Sequence, residues 1–259
     1  MVVNVYAEGG ILGGNDDAST IANSEALREE LNRFMQRALG REDISIVVKK
    51  CASYKMAAKE FVKEENVDSY LYVDLDRLPE LRAEWFESLR HDGIAMSEER
   101  SDHVCFWIQE MESWFLKQPQ AIEDWAADEG YQHKANKQEP ISEHKSIKDK
   151  DIEHLQHKAS EILKVILRQV LEPVDKTKVS ATGKVRDIRY GKLRHAPGII
   201  AHLNPETLKA CDNELQAFCD KVNSRQKPMT RGSRNQPIET SPIPGIERRA
   251  GELVELSLS

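Results

Sequence analysis

The sequence predicts an α/β protein: an open, mostly parallel sheet sandwiched by helices, with a helical C-terminal part and a flexible tail. Three observations point there. Short apolar runs rich in β-branched residues alternate with segments of helical spacing through the first half of the chain. These runs are apolar enough to be covered on both faces, as parallel strands are. Carboxylates gather where the runs end, at the edge where open α/β sheets bind ligands.

The elements follow in order. Val2–Ala7 reads as a strand that ends at Glu8-Gly9-Gly10, and Ile11–Asp17, rich in Gly, Asn and Asp, reads as a loop. After Ser24, the residues Ala26, Leu27, Leu31, Phe34, Met35 and Ala38 recur at helical spacing, and Gly40 supplies the stop. Ile44–Val48 is a second strand. Ser53–Glu65 is a helix with Met56, Ala57, Phe61 and Val62 on its buried side. Ser69–Val73 is a third strand, ending at Asp74-Leu75-Asp76. Leu78–Leu89 is a helix broken by His91-Asp92-Gly93. Val104–Ile108 is a fourth strand, and Glu110–Phe115 follows it. Residues 133–150 are polar and Lys-rich, an exposed connection. Ile152–Leu171 has the spacing of a helix, with Leu155, Ile162, Leu163, Ile166 and Leu167 inside. Asn204 is a good N-cap for a helix opened by Pro205 that buries Leu208, Cys211, Leu215 and Phe218. From Ser224 onward Pro, Arg, Gly, Ser and Asn dominate, and Glu252–Leu258 alternates enough to add an edge strand or dock on a partner. The division is therefore an α/β core over 1–132, a basic and mainly helical part over 133–222 packed on it, and a flexible tail over 223–259.

Composition sets the limits. The chain has 259 residues, 39% hydrophobic and 31% charged, with a net charge of −7. That is enough apolar material for a core and excludes wholesale disorder. No apolar run approaches the roughly 20 residues that cross a bilayer, and the N-terminus has no basic n-region or cleavage site, so a soluble, cytoplasmic protein is expected. Cys51, Cys105, Cys211 and Cys219 lie far apart with no C-x-x-C, which suits buried, reduced thiols. Charge is uneven. Residues 1–132 hold 14 Lys and Arg against 27 Asp and Glu; residues 133–195 hold 15 against 9. An acidic edge neutralised by a divalent ion, beside a basic segment, suits phosphate-bearing ligands as well as it suits a merely solvated surface.

Five carboxylates at three strand ends carry the chemistry: Glu8, Asp74, Asp76, Glu110 and Glu112. In an extended chain Asp74 and Asp76 share a face and repel unless a cation lies between them; oxygen donors of this kind suit Mg²⁺. Asp76 also reads as an N-cap for the following helix. Glu8 before Gly9-Gly10 reads as a metal ligand, a general base or a plain strand-end residue. Glu110 and Glu112 either close a metal site or favour the start of a helix through its dipole. In the basic segment, Lys184, Arg186, Arg189, Lys192 and Arg194 with Tyr190 offer phosphate contacts and a stacking ring, or form a solvated loop.

The strings Val5-Tyr6-Ala7-Glu8-Gly9-Gly10, Tyr72-Val73-Asp74-Leu75-Asp76 and Gln109-Glu110-Met111-Glu112-Ser113-Trp114-Phe115-Leu116 resemble a bacterial family, the domain of unknown function 4276. Tyr190-Gly191-Lys192 followed by Ile199-Ile200-Ala201 is similar to its C-terminal Y-x-K segment. The likeness spans roughly residues 1–222. That family is similar to Toprim-fold proteins, which bind Mg²⁺ through a strand-end Glu and a D-x-D to cut or join nucleic acid. The resemblance therefore implies the Toprim glutamate role for Glu8 and metal-ligand roles for Asp74 and Asp76. It also implies an effector of anti-phage defence working with an ATPase partner. The resulting expectation is a Mg²⁺- or Mn²⁺-dependent Toprim-like nuclease acting on DNA or tRNA. In it, Glu8, Asp74, Asp76 and Lys192 are catalytic, and a homodimer is compatible with the scheme. The rival is a non-catalytic module that docks on the ATPase through Trp114-Phe115 or the tail.

Overall fold

The structure is a computed structural model that describes residues 1–9, 18–175 and 187–225. Met1–Arg225 forms one compact unit. The predicted loop Ile11–Asp17, the predicted tail from residue 226 onward with its Glu252–Leu258 segment, and the basic residues Lys184 and Arg186 lie outside the described residues, while residues 223 and 224 of the predicted tail end a helix.

Four parallel strands make the main sheet: β1 (Val2–Glu8), β2 (Ser45–Cys51), β3 (Ser69–Asp74) and β4 (Val104–Trp107), in the order β2-β1-β3-β4. The register sets Glu8 beside Cys51 on one side, Ala7 beside Tyr72 on the other, and Asp74 beside Trp107. All four strands therefore end on one edge. The chain runs outward from β1 to β2, then crosses to β3 on the far side. The crevice between β1 and β3 is thus the point where strand order reverses, the place such sheets bind ligands.

Alternation along the strands splits the core in two. Val3, Val5, Ala7, Tyr70, Tyr72, Cys105 and Trp107 face one layer; Tyr6, Leu71, Val73, Val104 and Phe106 face the other. The second layer is α2 (Tyr54–Lys63) and α3 (Arg82–His91), through Ala57, Ala58, Phe61, Trp85 and Leu89, followed by the short α4 (Glu98–Ser101). The first layer is α1 (Ala18–Leu39), α5 (Ser113–Lys117), α6 (Pro119–Asp128), α7 (Ala159–Val170), α8 (Lys192–His202), α9 (Pro205–Lys209) and α10 (Asn213–Ser224). An antiparallel pair, β5 (Tyr131–His133) and β6 (Leu171–Pro173), lies outside the main sheet.

Both outer edges of the sheet are closed by helix side chains. On β2, the Val48 N–H donates to Asn32 Oδ1 and the Ile46 N–H to Gln36 Oε1, both at 2.9 Å. On β4, the Phe106 N–H donates to Glu214 Oε2 at 3.0 Å, and Arg82 Nη2 donates to Val104 O at 2.8 Å.

Several boundaries differ from the sequence reading. Helix α1 begins before Ser24, which is buried within it. Ser53, where the sequence reading starts the helix, caps α2 instead, and Met56 and Val62 are exposed while Ala58 is buried. Pro79 opens a 3-10 turn, Pro79–Leu81, and delays α3 to Arg82. Helix α7 starts at Ala159, seven residues after Ile152, which begins a 3-10 turn of its own. The expected exposed connection is anchored by Ile141 and Ile147, both buried. The last predicted helix is two: Asn204 caps α9 through the Glu206 and Thr207 N–H groups, and Asp212 caps α10 through the Leu215 N–H. Cys211, expected inside, is exposed; all four cysteines are free.

Candidate functional site

The carboxyl edge of the sheet is built by three strand ends and three helix starts. Asp74, the last residue of β3, is 9% exposed. Its Oδ1 accepts from the Met111 N–H at 2.9 Å and its Oδ2 from Lys192 Nζ at 3.0 Å. Lys192 is the first residue of α8, and its ammonium also lies 3.6 Å from Glu112 Oε2. Glu112, 2% exposed, precedes α5 and accepts from the Tyr190 hydroxyl at 3.0 Å through Oε1. One lysine thus lies between two buried carboxylates.

A second lysine repeats the arrangement. Lys158 Nζ lies 2.6 Å from Asp76 Oδ1 and 3.5 Å from Glu110 Oε1, while Glu110 Oε2 accepts from the Ser160 N–H at 2.9 Å. Asp76 does not share the face of Asp74 as an extended chain would require. Its φ is +56°, a left-handed conformation that an Asp tolerates better than most side chains. Its N–H donates to Gln109 O at 2.8 Å, which pins the turn against the end of β4. The left-handed turn separates the D-x-D into two different ion pairs, and Asp76 caps no helix: Leu78 holds the cap position of the following turn.

Glu8 ends β1 across the crevice. By alternation it shares the face of Tyr6, whereas Asp74 shares that of Tyr72. Its Oε2 is buried and has no hydrogen-bond partner. Burial first, then the charge of Asp74, pushes the Glu8 carboxyl up to about 7, against an opposing pull from Lys192. So Glu8, Asp74 and Lys192, far apart in sequence, act on one another in space. Burial also raises the carboxyls of Asp74 and Glu112, with Lys192 opposing. Burial opposes the charge on Lys192 itself, but Asp74 and Glu112 outweigh it and raise its ammonium. Burial likewise opposes ionisation of Glu110, and the Ser160 contacts with Lys158 outweigh it, holding that carboxyl low.

Among the described residues no three His, Cys, Asp or Glu side chains group closely enough to hold a metal ion. Lysines fill the gaps between the carboxylate pairs. The donor chemistry nonetheless suits a hard divalent cation, since every candidate is a carboxylate. Glu8 Oε2 is an orphaned buried oxygen beside a second carboxylate that repels it, which is the situation a cation relieves.

Residues 23–223 match the family described as Domain of unknown function (DUF4276). The chain belongs to the DUF4276 family. The DUF4276 match takes in Asp74, Asp76, Glu110, Glu112, Tyr190 and Lys192 and begins after Glu8. No curated protein and no solved structure matches the chain.

Arg189 and Arg194 are exposed. Tyr190 is 8% exposed, with its ring stacked on His195 and its hydroxyl on Glu112, so the ring faces the protein. Trp114 and Phe115 are fully buried, and Trp114 Nε1 donates to Asp212 at 3.0 Å; they offer no docking surface. Sequence reasoning passed over two lysines. Lys158 comes from the start of α7, and no local signal ties it to Asp76. Lys50 comes from β2, and its ammonium is buried without a hydrogen-bond partner. The string Lys49-Lys50-Cys51 after a β-branched run marks two cations at a strand end, and only the pairing of β2 with β1 brings them beside Glu8.

Among the described residues, no helix is long and apolar enough to cross a membrane.

Proposed function

We propose that the carboxyl edge of the sheet is the active centre of a Mg²⁺-dependent, Toprim-like nuclease that hydrolyses phosphodiesters in DNA or RNA. One observation carries the reading: Glu8 and Asp74 end the two strands that flank the strand-order reversal, and both interact with the same Lys192. Glu8, with a carboxyl near neutrality, is suited to take a proton from an attacking water. Lys192, anchored at the start of α8, offsets phosphate charge as it builds up. Tyr190 and the Met111 N–H hold Glu112 and Asp74 in place. Arg189 and Arg194 steer the strand by its backbone, without sequence preference. Glu8 and Asp74 would hold the ion, while Asp76 and Glu110 are engaged by Lys158, and Glu112 by Lys192 and Tyr190. When bound, the ion supplies Lewis-acid polarisation of the phosphodiester. By family resemblance, the protein serves as effector of an anti-phage system alongside an ATPase partner.

The test is cleavage of plasmid DNA, oligonucleotides and tRNA in Mg²⁺ or Mn²⁺, with wild type set against Glu8→Ala and Asp74→Ala. Loss of about 100-fold or more in both variants is expected. Equal activity in all three proteins rejects the site.

A second reading has its own supporting observation. Lys158 and Lys192 already neutralise the carboxylate pairs, as in a purely structural ion-pair network. The protein would then be a non-catalytic module docking on the ATPase. Calorimetric titration with Mn²⁺ separates the two: heat of binding lost in Asp74→Ala supports the nuclease, and no binding supports the module.

A further inference from the structure

The three lysines of the sheet edge have different surroundings. Lys158 and Lys192 each lie between two carboxylates. Lys50 has no such arrangement. It stands opposite Ala7 near the end of β2, and its Nζ is buried with no hydrogen-bond partner. It lies close to Gly9: a Cβ built on Gly9 would stand 3.4 Å from Lys50 Cε and 3.5 Å from Nζ. Gly9 has φ +104°, a conformation that L side chains rarely adopt, so the position suits glycine. The residue before it, Glu8, carries its own buried oxygen without a partner. The neighbouring charges are Lys192, which repels the Lys50 ammonium, and Glu25 of α1, which attracts it more weakly.

A buried ammonium with no acceptor is an unfinished interaction, costly to the folded protein on its own. What completes it is an acceptor, and a negatively charged one also offsets the repulsion from Lys192. It must also come close to the backbone at Gly9. A phosphate oxygen meets each requirement. We propose that Lys50, beside Gly9, is a phosphate-binding subsite that seats the backbone of the nucleic acid strand next to Glu8 and Lys192. This rests on the nuclease reading for the identity of the ligand. In it Lys50 holds the strand, while Glu8 and Lys192 face the reacting group.

The experiment uses the full chain and reads binding apart from cleavage. A 5′-labelled 20-nucleotide DNA and its RNA counterpart are titrated by fluorescence anisotropy over a range of salt, in EDTA and in Ca²⁺. Wild type is compared with Lys50→Met and Lys50→Arg, and each protein is melted. Lys50→Met is expected to weaken binding about tenfold or more and to flatten the dependence of log affinity on log salt by about 0.7, the value of one single-strand phosphate contact. Lys50→Arg keeps the charge and stays within a few-fold of wild type. Lys50→Met melts no lower than wild type, because the ammonium it removes has no partner.

Unchanged affinity and salt slope in Lys50→Met overturn the subsite. So does a clear fall in its melting temperature, or failure of both variants to fold, since Lys50 would then be a structural prop. A wild type that binds neither oligonucleotide in either condition overturns it as well. Cleavage in Mg²⁺ is scored separately. Binding through Lys50 without any cutting sinks the nuclease reading and leaves the subsite standing. Cutting with Lys50→Met unchanged does the reverse.

Discussion

Two ammonium groups hold four carboxylates apart at the end of the sheet, and a fifth carboxylate, Glu8, is left with one oxygen unsatisfied. At this scale charge and burial compete directly. Glu8 has a carboxyl pushed up to about 7 from an ordinary value of 4.5, by burial and by Asp74. The folded state therefore holds its proton more tightly than the unfolded state. The stability this gives is fully present below about pH 4.5 and is lost as pH rises through about 7. In metal-free protein, urea midpoints are expected to fall across that window in wild type and to fall less in Glu8→Gln, which stays neutral. Parallel profiles for the two proteins would show that Glu8 ionises freely. The sequence revealed part of this site. Strand ends can be read from periodicity, which brought Glu8, Asp74 and Asp76 together on one edge. The left-handed turn at Asp76 cannot be read that way, because Asp is at home in extended, helical and left-handed backbone alike. Nor can Lys158 or Lys50, whose places depend on how α7 packs and on which strand pairs with β1.

Helix α8 shows how packing overrides local preference. Its interior contains Pro197 and Gly198, two residues that ordinarily end helices, and so Lys192–His202 carried no helical signal. Tertiary contacts maintain it: His195, Ala196, Ile199 and Ile200 are buried in the larger core. Gly198 lies against the indole of Trp125, itself 2% exposed on α6. Replacing a mid-helix glycine by alanine ordinarily stabilises by about 1 kcal/mol. Here the added Cβ would fall 2.6 Å from Trp125 Cδ1 and 2.7 Å from Nε1. Gly198→Ala is therefore expected to destabilise by about 1–3 kcal/mol, measured by urea unfolding. A stabilised variant would mean that Trp125 has room to move. The other helix boundaries have simpler causes, and the start at Asn204 and Pro205 is the one the sequence predicts. Prolines at 79, 119 and 205 fixed helix starts, and the caps Ser53, Asn204 and Asp212 did the rest.

The unit Met1–Arg225 is built on a sheet with a large core on one face and a smaller one on the other. The α/β class and the four strands were legible because each strand is short, apolar and closed by a turn. The β5–β6 pair was not: three-residue strands carry too little pattern to register. The larger core depends on the last three helices, which bring Ile199, Ile200, Leu208, Leu215, Phe218 and Val222 onto α1 and the sheet. A chain ending at residue 225 is expected to give one cooperative urea transition. A chain ending at residue 190 lacks those residues and Lys192 together, and is expected to show no native near-UV circular dichroism. A native signal from the shorter chain would make the C-terminal helices a separate domain.

The side chains that close β2 and β4 have a further consequence. A sheet margin with free N–H and C=O groups is a template on which other polypeptides can polymerise. Here Asn32 and Gln36 occupy such groups on one flank, and Glu214 and Arg82 on the other. Growth by strand addition is blocked at those positions on both flanks. Self-association that leaves this fold intact therefore cannot form a continuous sheet through these blocked positions.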